Sequence, residues 1–82
     1  MTDTDKKRAN SLLVTLLFAG GPGQARQLRE DLEAVHGIPV TLDRVRADLA
    51  WLADLGYVLR QGDTVTLTQE GREIATGTRT LP

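Results

Sequence analysis

The chain has 82 residues, room for a single domain over 1–82, and a domain this small buries only roughly 60% of the surface its unfolded chain exposes. It has no cysteine, which excludes a disulfide framework, a thiolate metal site and a cysteine nucleophile, and fits a reducing, cytoplasmic compartment. Ten Lys and Arg against eleven Asp and Glu leave a formal charge of -1 at pH 7, a balance that counts against strong binding to nucleic acid by charge alone.

The first helix is predicted over residues 6–19, stopped by Gly20, Gly21 and Pro22. Ala9, Leu13, Leu16 and Leu17 make a stripe at helical spacing, and Val14 and Phe18, at i and i+4, add apolar surface beside it. One face of a surface helix does not need both sets. Val14 and Phe18 are therefore candidates for a two-fold homodimer interface; the other reading is that the hairpin or the last helix covers them. The longest apolar run, 12–19, is interrupted by Thr15 and is too short to span a bilayer. Lys6, Lys7 and Arg8 stand where a signal peptide has its basic start, but no A-x-A site follows, and no targeting segment is expected.

A second helix fits residues 24–35, with Leu28, Leu32 and Val35 inward and Arg26, Gln27, Arg29, Glu30, Asp31 and Glu33 toward water. Gly37 is a helix stop, Ile38 is placed for the apolar contact that follows it, and Pro39 prevents the helix from resuming. His36 is the sole histidine and has no acidic cluster beside it. It is expected to meet free carbonyls at the helix end rather than a metal.

The third helix opens at Thr41, whose hydroxyl caps it, with Asp43 in its first turn and Val40 and Val45 placed as a hydrophobic staple. Leu42, Val45, Leu49 and Leu52 form its buried face, extended by Leu55, and Gly56 ends it. Strands follow at 57–60 and 64–67, joined through Gln61-Gly62-Asp63 as a tight hairpin. Thr68 then caps a last short helix over about 69–76.

The order is helix, helix, short turn, helix, hairpin, helix, and residues 37–40 match the connection of a helix-turn-helix. The expected fold is mainly α with a small β-hairpin: a winged helix-turn-helix with a three-helix core, a wing and a short C-terminal helix. Leu49-x-x-Leu52-x-x-x-Gly56-Tyr57-Val58 resembles the end of a winged-helix recognition helix entering its wing, and Leu67-Thr68-x-x-Gly71 resembles the exit. The run Asp43-Arg44-Val45-Arg46-Ala47-Asp48-Leu49-Ala50-Trp51-Leu52, with Gly56 and Leu67-Thr68 downstream, resembles a family of small winged-helix proteins of Mu-like bacteriophages. The resemblance spans nearly the whole chain. It implies a winged-helix fold, a phage or prophage origin and a regulatory role assigned by fold. Such proteins often continue into a basic, proline-containing tail, where this sequence stops at Pro82.

In a winged helix the third helix enters the major groove. Candidate contacts with double-stranded DNA are then Thr41, Asp43, Arg44, Arg46 and Ala47 on that helix, with Arg60 and Gln61 at the hairpin. The bland alternative is a solvated face on which Asp43 pairs with Arg46 and Arg44 with Asp48, while Asp43 and Asp54 repel phosphate. Trp51, the sole tryptophan, lies beside Ala47 and Ala50; it is a candidate protein contact together with Val14 and Phe18, or else a rim of the core.

No nucleophile is paired with a base: Ser11 lies within the first helix and there is no second histidine. Gly20-Gly21-Pro22-Gly23 lacks the Lys-Ser/Thr ending and the preceding strand of a phosphate loop and is read as a turn. The expectation is a binding protein without cofactor, metal or catalysis. It is either a DNA-binding transcriptional regulator or a winged-helix protein-interaction module with little DNA affinity. Arg44, Arg46, Arg60, Lys6, Lys7 and Arg8 gathered on one side would favour DNA, and scattered arginines would favour protein.

Overall fold

Capping chemistry sets where the helices begin in the computed structural model, which describes residues 2–82. Thr2 and Asp5 form a reciprocal capping box: the Asp5 N–H donates to Thr2 Oγ1 at 3.1 Å, and the Thr2 N–H donates to Asp5 Oδ2 at 3.3 Å. Helix α1 therefore spans Asp3–Ala19 and opens about a turn before the start expected from apolar spacing. Helix α2, Ala25–His36, closes with the Gly37 N–H on the Glu33 carbonyl at 3.2 Å and the Ile38 N–H on the Leu32 carbonyl at 2.9 Å. Ile38 packs against the core. Thr41 Oγ1 accepts the Arg44 N–H at 3.1 Å and opens α3, Leu42–Asp54. Thr68 does the same for α4, Gln69–Ala75, accepting the Gly71 N–H at 3.1 Å.

Numbered with one earlier strand, the hairpin is β2, Val58–Gln61, and β3, Thr64–Leu67. Gly62 takes a φ of 59° at the first central position of the turn, where a type II′ hairpin needs it. The earlier strand, β1, Gly23–Gln24, pairs antiparallel with β3, placing Gly23 opposite Val65 and Gln24 opposite Thr64. The described residues are thus mainly helical, with four helices and a three-stranded antiparallel sheet in the order β1-β3-β2.

The reading of Gly23 as turn and Gln24 as helix is corrected by that strand. Two residues carry no periodicity, so the pairing is made by distant groups: Ala25 N–H donates to the Asp63 carbonyl at 2.8 Å and Gln24 Nε2 to Thr64 Oγ1 at 2.8 Å.

One hydrophobic cluster joins all four helices and the hairpin. Helix α1 lies centrally, packing on α4, α2, α3 and β3. Because it is covered from several sides it buries a broad arc, Arg8, Ala9, Leu12, Leu13, Thr15 and Leu16, rather than the narrower stripe expected; Leu17 is only half-buried. Val35, expected inward, is 74% exposed. His36 takes the inward place of that last turn, in line with Ala25 and Leu32. Its Nε2 lies 3.1 Å from Thr15 Oγ1, whose own proton goes to the Ser11 carbonyl at 2.8 Å, so the imidazole is the donor. His36 thus ties α2 to α1, not to free helix-end carbonyls. Leu55 is likewise more exposed than expected, at the end of α3.

The expected pairing of Arg44 with Asp48 is also absent. Asp48 is 1% exposed and faces α1, where it accepts from Arg8 Nε and, at 3.1 Å, from Arg8 Nη2. The same Nη2 donates to Asp5 Oδ1 at 2.7 Å. A hydrogen bond from Arg8, then those from Thr2, hold the Asp5 carboxyl down at about 2, and Asp48 raises the pKa of the Arg8 guanidinium further. Among the described residues no helix is long and apolar enough to cross a membrane.

Candidate nucleic-acid interface

Turning Val45, Asp48, Leu49 and Leu52 inward leaves Asp43, Arg44 and Ala47 exposed on the opposite side of α3. Thr41 is exposed beside them; its oxygen is engaged as the cap, while its hydroxyl proton remains available to a second partner. Arg44 makes no ion pair among the described residues.

Arg46 is committed. Its Nε donates to Asp63 Oδ1 at 3.0 Å and its Nη2 to Asp63 Oδ2 at 2.8 Å. The expected contact with Asp43 exists but is longer, 3.7 Å from Nη1. On the hairpin, Arg60 and Gln61 are both exposed, and Arg60 Nε donates to the Gly62 carbonyl at 3.0 Å.

These contacts make Asp63 the centre of the surface. Its carboxyl is held below the usual carboxylate range, first by the hydrogen bond from Arg46 and then by the charges of Arg46, Arg60 and Arg26. Arg46 on α3 is the arginine that touches this carboxylate, while the charges of Arg60 on β2 and Arg26 on α2 act on it from farther away.

No family model, curated protein or solved structure matches this chain. The chemistry of the surface is that of an anion site: a planar arginine fork already holding a carboxylate side by side, which is also the geometry of arginine on phosphate.

The other basic residues lie apart from it. Arg8 is buried against Asp48 and takes no part in any surface, and Lys6 and Lys7 line an open groove of about 1080 Å³ together with Ile74 and Leu81. Of the six residues whose grouping favours DNA, only Arg46 and Arg60 act on Asp63, and Arg26 does so as well. Helical spacing alone assigns Arg26 to water, and Asp63 stands in the sequence only as a turn residue. Arg46 and Asp63 are 17 positions apart, on elements with no shared periodicity, so no local signal in the sequence links them.

Among the interface candidates, Trp51 is half-buried against the core cluster and Val14 is half-buried on α1. Phe18 is 84% exposed; neither the hairpin nor the last helix covers it. Among the described residues no group of three or more His, Asp or Glu lies together to hold a metal ion.

Proposed function

We propose that this is a winged helix-turn-helix protein that binds double-stranded DNA without catalysis, as a transcriptional regulator of the Mu-like phage type that its sequence resembles, in the cytoplasm of a bacterial host. In this reading α3 lies in the major groove, with Asp43, Arg44 and Ala47 toward base edges and Thr41 toward phosphate, and the β2–β3 hairpin is the wing. The observation that carries the reading is the side-by-side hold of Arg46 on Asp63, which places an anion-binding arginine fork where α3 adjoins the hairpin, with the charges of Arg60 and Arg26 acting on the same carboxylate. The overall charge of -1 does not decide the matter, because phosphate responds to the nearest few charges within about 8–10 Å rather than to the whole molecule.

A titration against duplex DNA at several salt concentrations tests this. Log affinity is expected to fall linearly with log salt, and Arg44→Ala to lower the slope by about 1 for every phosphate it no longer neutralises; Arg46→Ala does so on duplexes for which its fork leaves Asp63. Absence of binding at low salt, to mixed-sequence and prophage-derived duplexes alike, removes the proposal.

Exposed Phe18 favours a second surface in the same protein, a two-fold dimer through α1 that would match two half-sites. Phe18→Glu is expected to sediment as a folded monomer with its helical content intact, since nothing in the monomer packs on that ring, and to bind DNA more weakly. A wild-type chain that sediments as a monomer defeats the dimer.

A further inference from the structure

Arg46 gives both arms of its fork to one partner, and that partner sits in the hairpin turn. The turn does not depend on this contact: Gly62 shapes it, the strand pairs Arg60–Val65 and Gln61–Thr64 close it, and the Asp63 main-chain carbonyl is separately bound by the Ala25 N–H at 2.8 Å. The side chains of Arg46 and Asp63 remain 40% and 38% exposed, so an anion arriving from solution can reach the same fork. An ion pair this open adds little to stability. Its geometry, however, is the bidentate one in which arginine holds phosphate, and the charges of Arg60 and Arg26 also attract an anion held there.

We infer that the Asp63 carboxylate occupies, on Arg46, the place of a DNA backbone phosphate and so restrains binding to arbitrary DNA. This rests on the DNA-binding reading above. For the fork to take a phosphate, the Arg46–Asp63 pair must open and Asp63 must turn aside, which costs a charge-assisted contact and leaves a carboxylate facing the duplex. A duplex that meets only the backbone contacts recovers little of that cost. One that also satisfies Arg44 and Ala47 at base edges has those contacts to hold it, so the duplexes that Asp63 drives off are those held by backbone contacts alone.

The test is a salt-dependent titration of a mixed-sequence duplex with the full chain and three variants. Asp63→Asn removes the charge. Asp63→Ser also shortens the side chain, so that it no longer spans the fork. Glu70→Gln, on the exposed side of α4, removes the same charge elsewhere. Circular dichroism confirms that each is folded. Both Asp63 variants are expected to bind about tenfold tighter at about 50 mM salt, with a slope steeper by about 0.9, the signature of one more phosphate neutralised by the protein. Glu70→Gln is expected to leave the slope unchanged. If the wild type binds and the Asp63 variants bind equally or more weakly, Asp63 positions Arg46 instead, and the inference falls while the DNA reading stands. An equal rise in affinity in Glu70→Gln reduces the effect to net charge and also overturns it. If neither the wild type nor the Asp63 variants bind, the DNA reading itself has failed, and the inference with it.

Discussion

Asp48→Ala is expected to destabilise the protein by about 3–5 kcal/mol, because it leaves the Arg8 guanidinium buried without its main partner. A domain of this kind has only about 5–15 kcal/mol in total, so the loss is a large share of it. Asp5 cannot make up the difference: it already accepts from Arg8 Nη2, and it lies nearer solvent at the start of α1. Asp48→Asn, which keeps the shape and one acceptor, is expected to fall between the wild type and Asp48→Ala. Replacing both partners, Arg8→Met with Asp48→Leu, is expected to recover most of the loss, since apolar side chains of similar volume need no compensating charge. Urea unfolding measures all of these. A loss under about 1 kcal/mol for Asp48→Ala would show that Arg8 reaches water when unpaired.

Acid acts on the same cluster. The Asp5 carboxyl is held at about 2, below its ordinary value of 3.8, so the stability it contributes is complete above about pH 4 and is lost as the pH falls from there toward about 2. An Asp5→Asn chain is expected to show a shallower fall over that window.

Gly71→Ala is expected to cost about 3 kcal/mol or more, although alanine is the better helix former by about 1 kcal/mol. A Cβ at this position would stand 2.0 Å from the Tyr57 carbonyl oxygen and 2.9 Å from Leu67 Cδ1. The first contact is with backbone that cannot yield. The Tyr57 carbonyl accepts the Thr68 N–H at 3.1 Å, and the Thr68 hydroxyl donates to the Gly56 carbonyl at 2.7 Å, so the start of α4 is bound tightly to the segment that leads into β2. To admit a methyl group α4 must lift, breaking these bonds and uncovering Ile74, which is buried between α4 and the core. Gly21→Ala is the control. It has open space around it and no positive φ, and is expected to change stability by no more than about 0.5 kcal/mol. Equal melting of the G71A and G21A chains would mean that α4 is not held against Tyr57.

Much of the local structure can be read directly from the residues. Thr41 and Thr68 cap helices, Gly37 ends one, and the Gly62-Asp63 pair turns a hairpin, because each acts on backbone groups within a few positions of itself. The inward set Val45, Leu49 and Leu52 follows from 3.6-residue spacing in the same way. The outward set Asp43, Arg44 and Ala47 is its complement, which is why the candidate DNA face of α3 is accessible to sequence reasoning.

What the residues determine by themselves, then, is whatever depends on near neighbours: helix limits, the hairpin and the two faces of α3. Tertiary structure decides whatever depends on partners far along the chain. Asp48 is a surface acid by helical pattern and becomes a buried one only because α1 brings Arg8 against it, 40 positions away. Gly23 and Gln24 form a strand only because β3 offers them an edge, and Val35 stays outside because His36 meets Thr15 across the α1–α2 contact. Asp63 becomes the centre of the candidate site only when α3 and the hairpin bring Arg46 onto it, 17 positions away in the chain. The physical reason is common to all of these cases. Periodicity and capping report the chain's own backbone, whereas an ion pair or a strand edge is satisfied by whichever group packing brings within reach, and packing belongs to the whole fold.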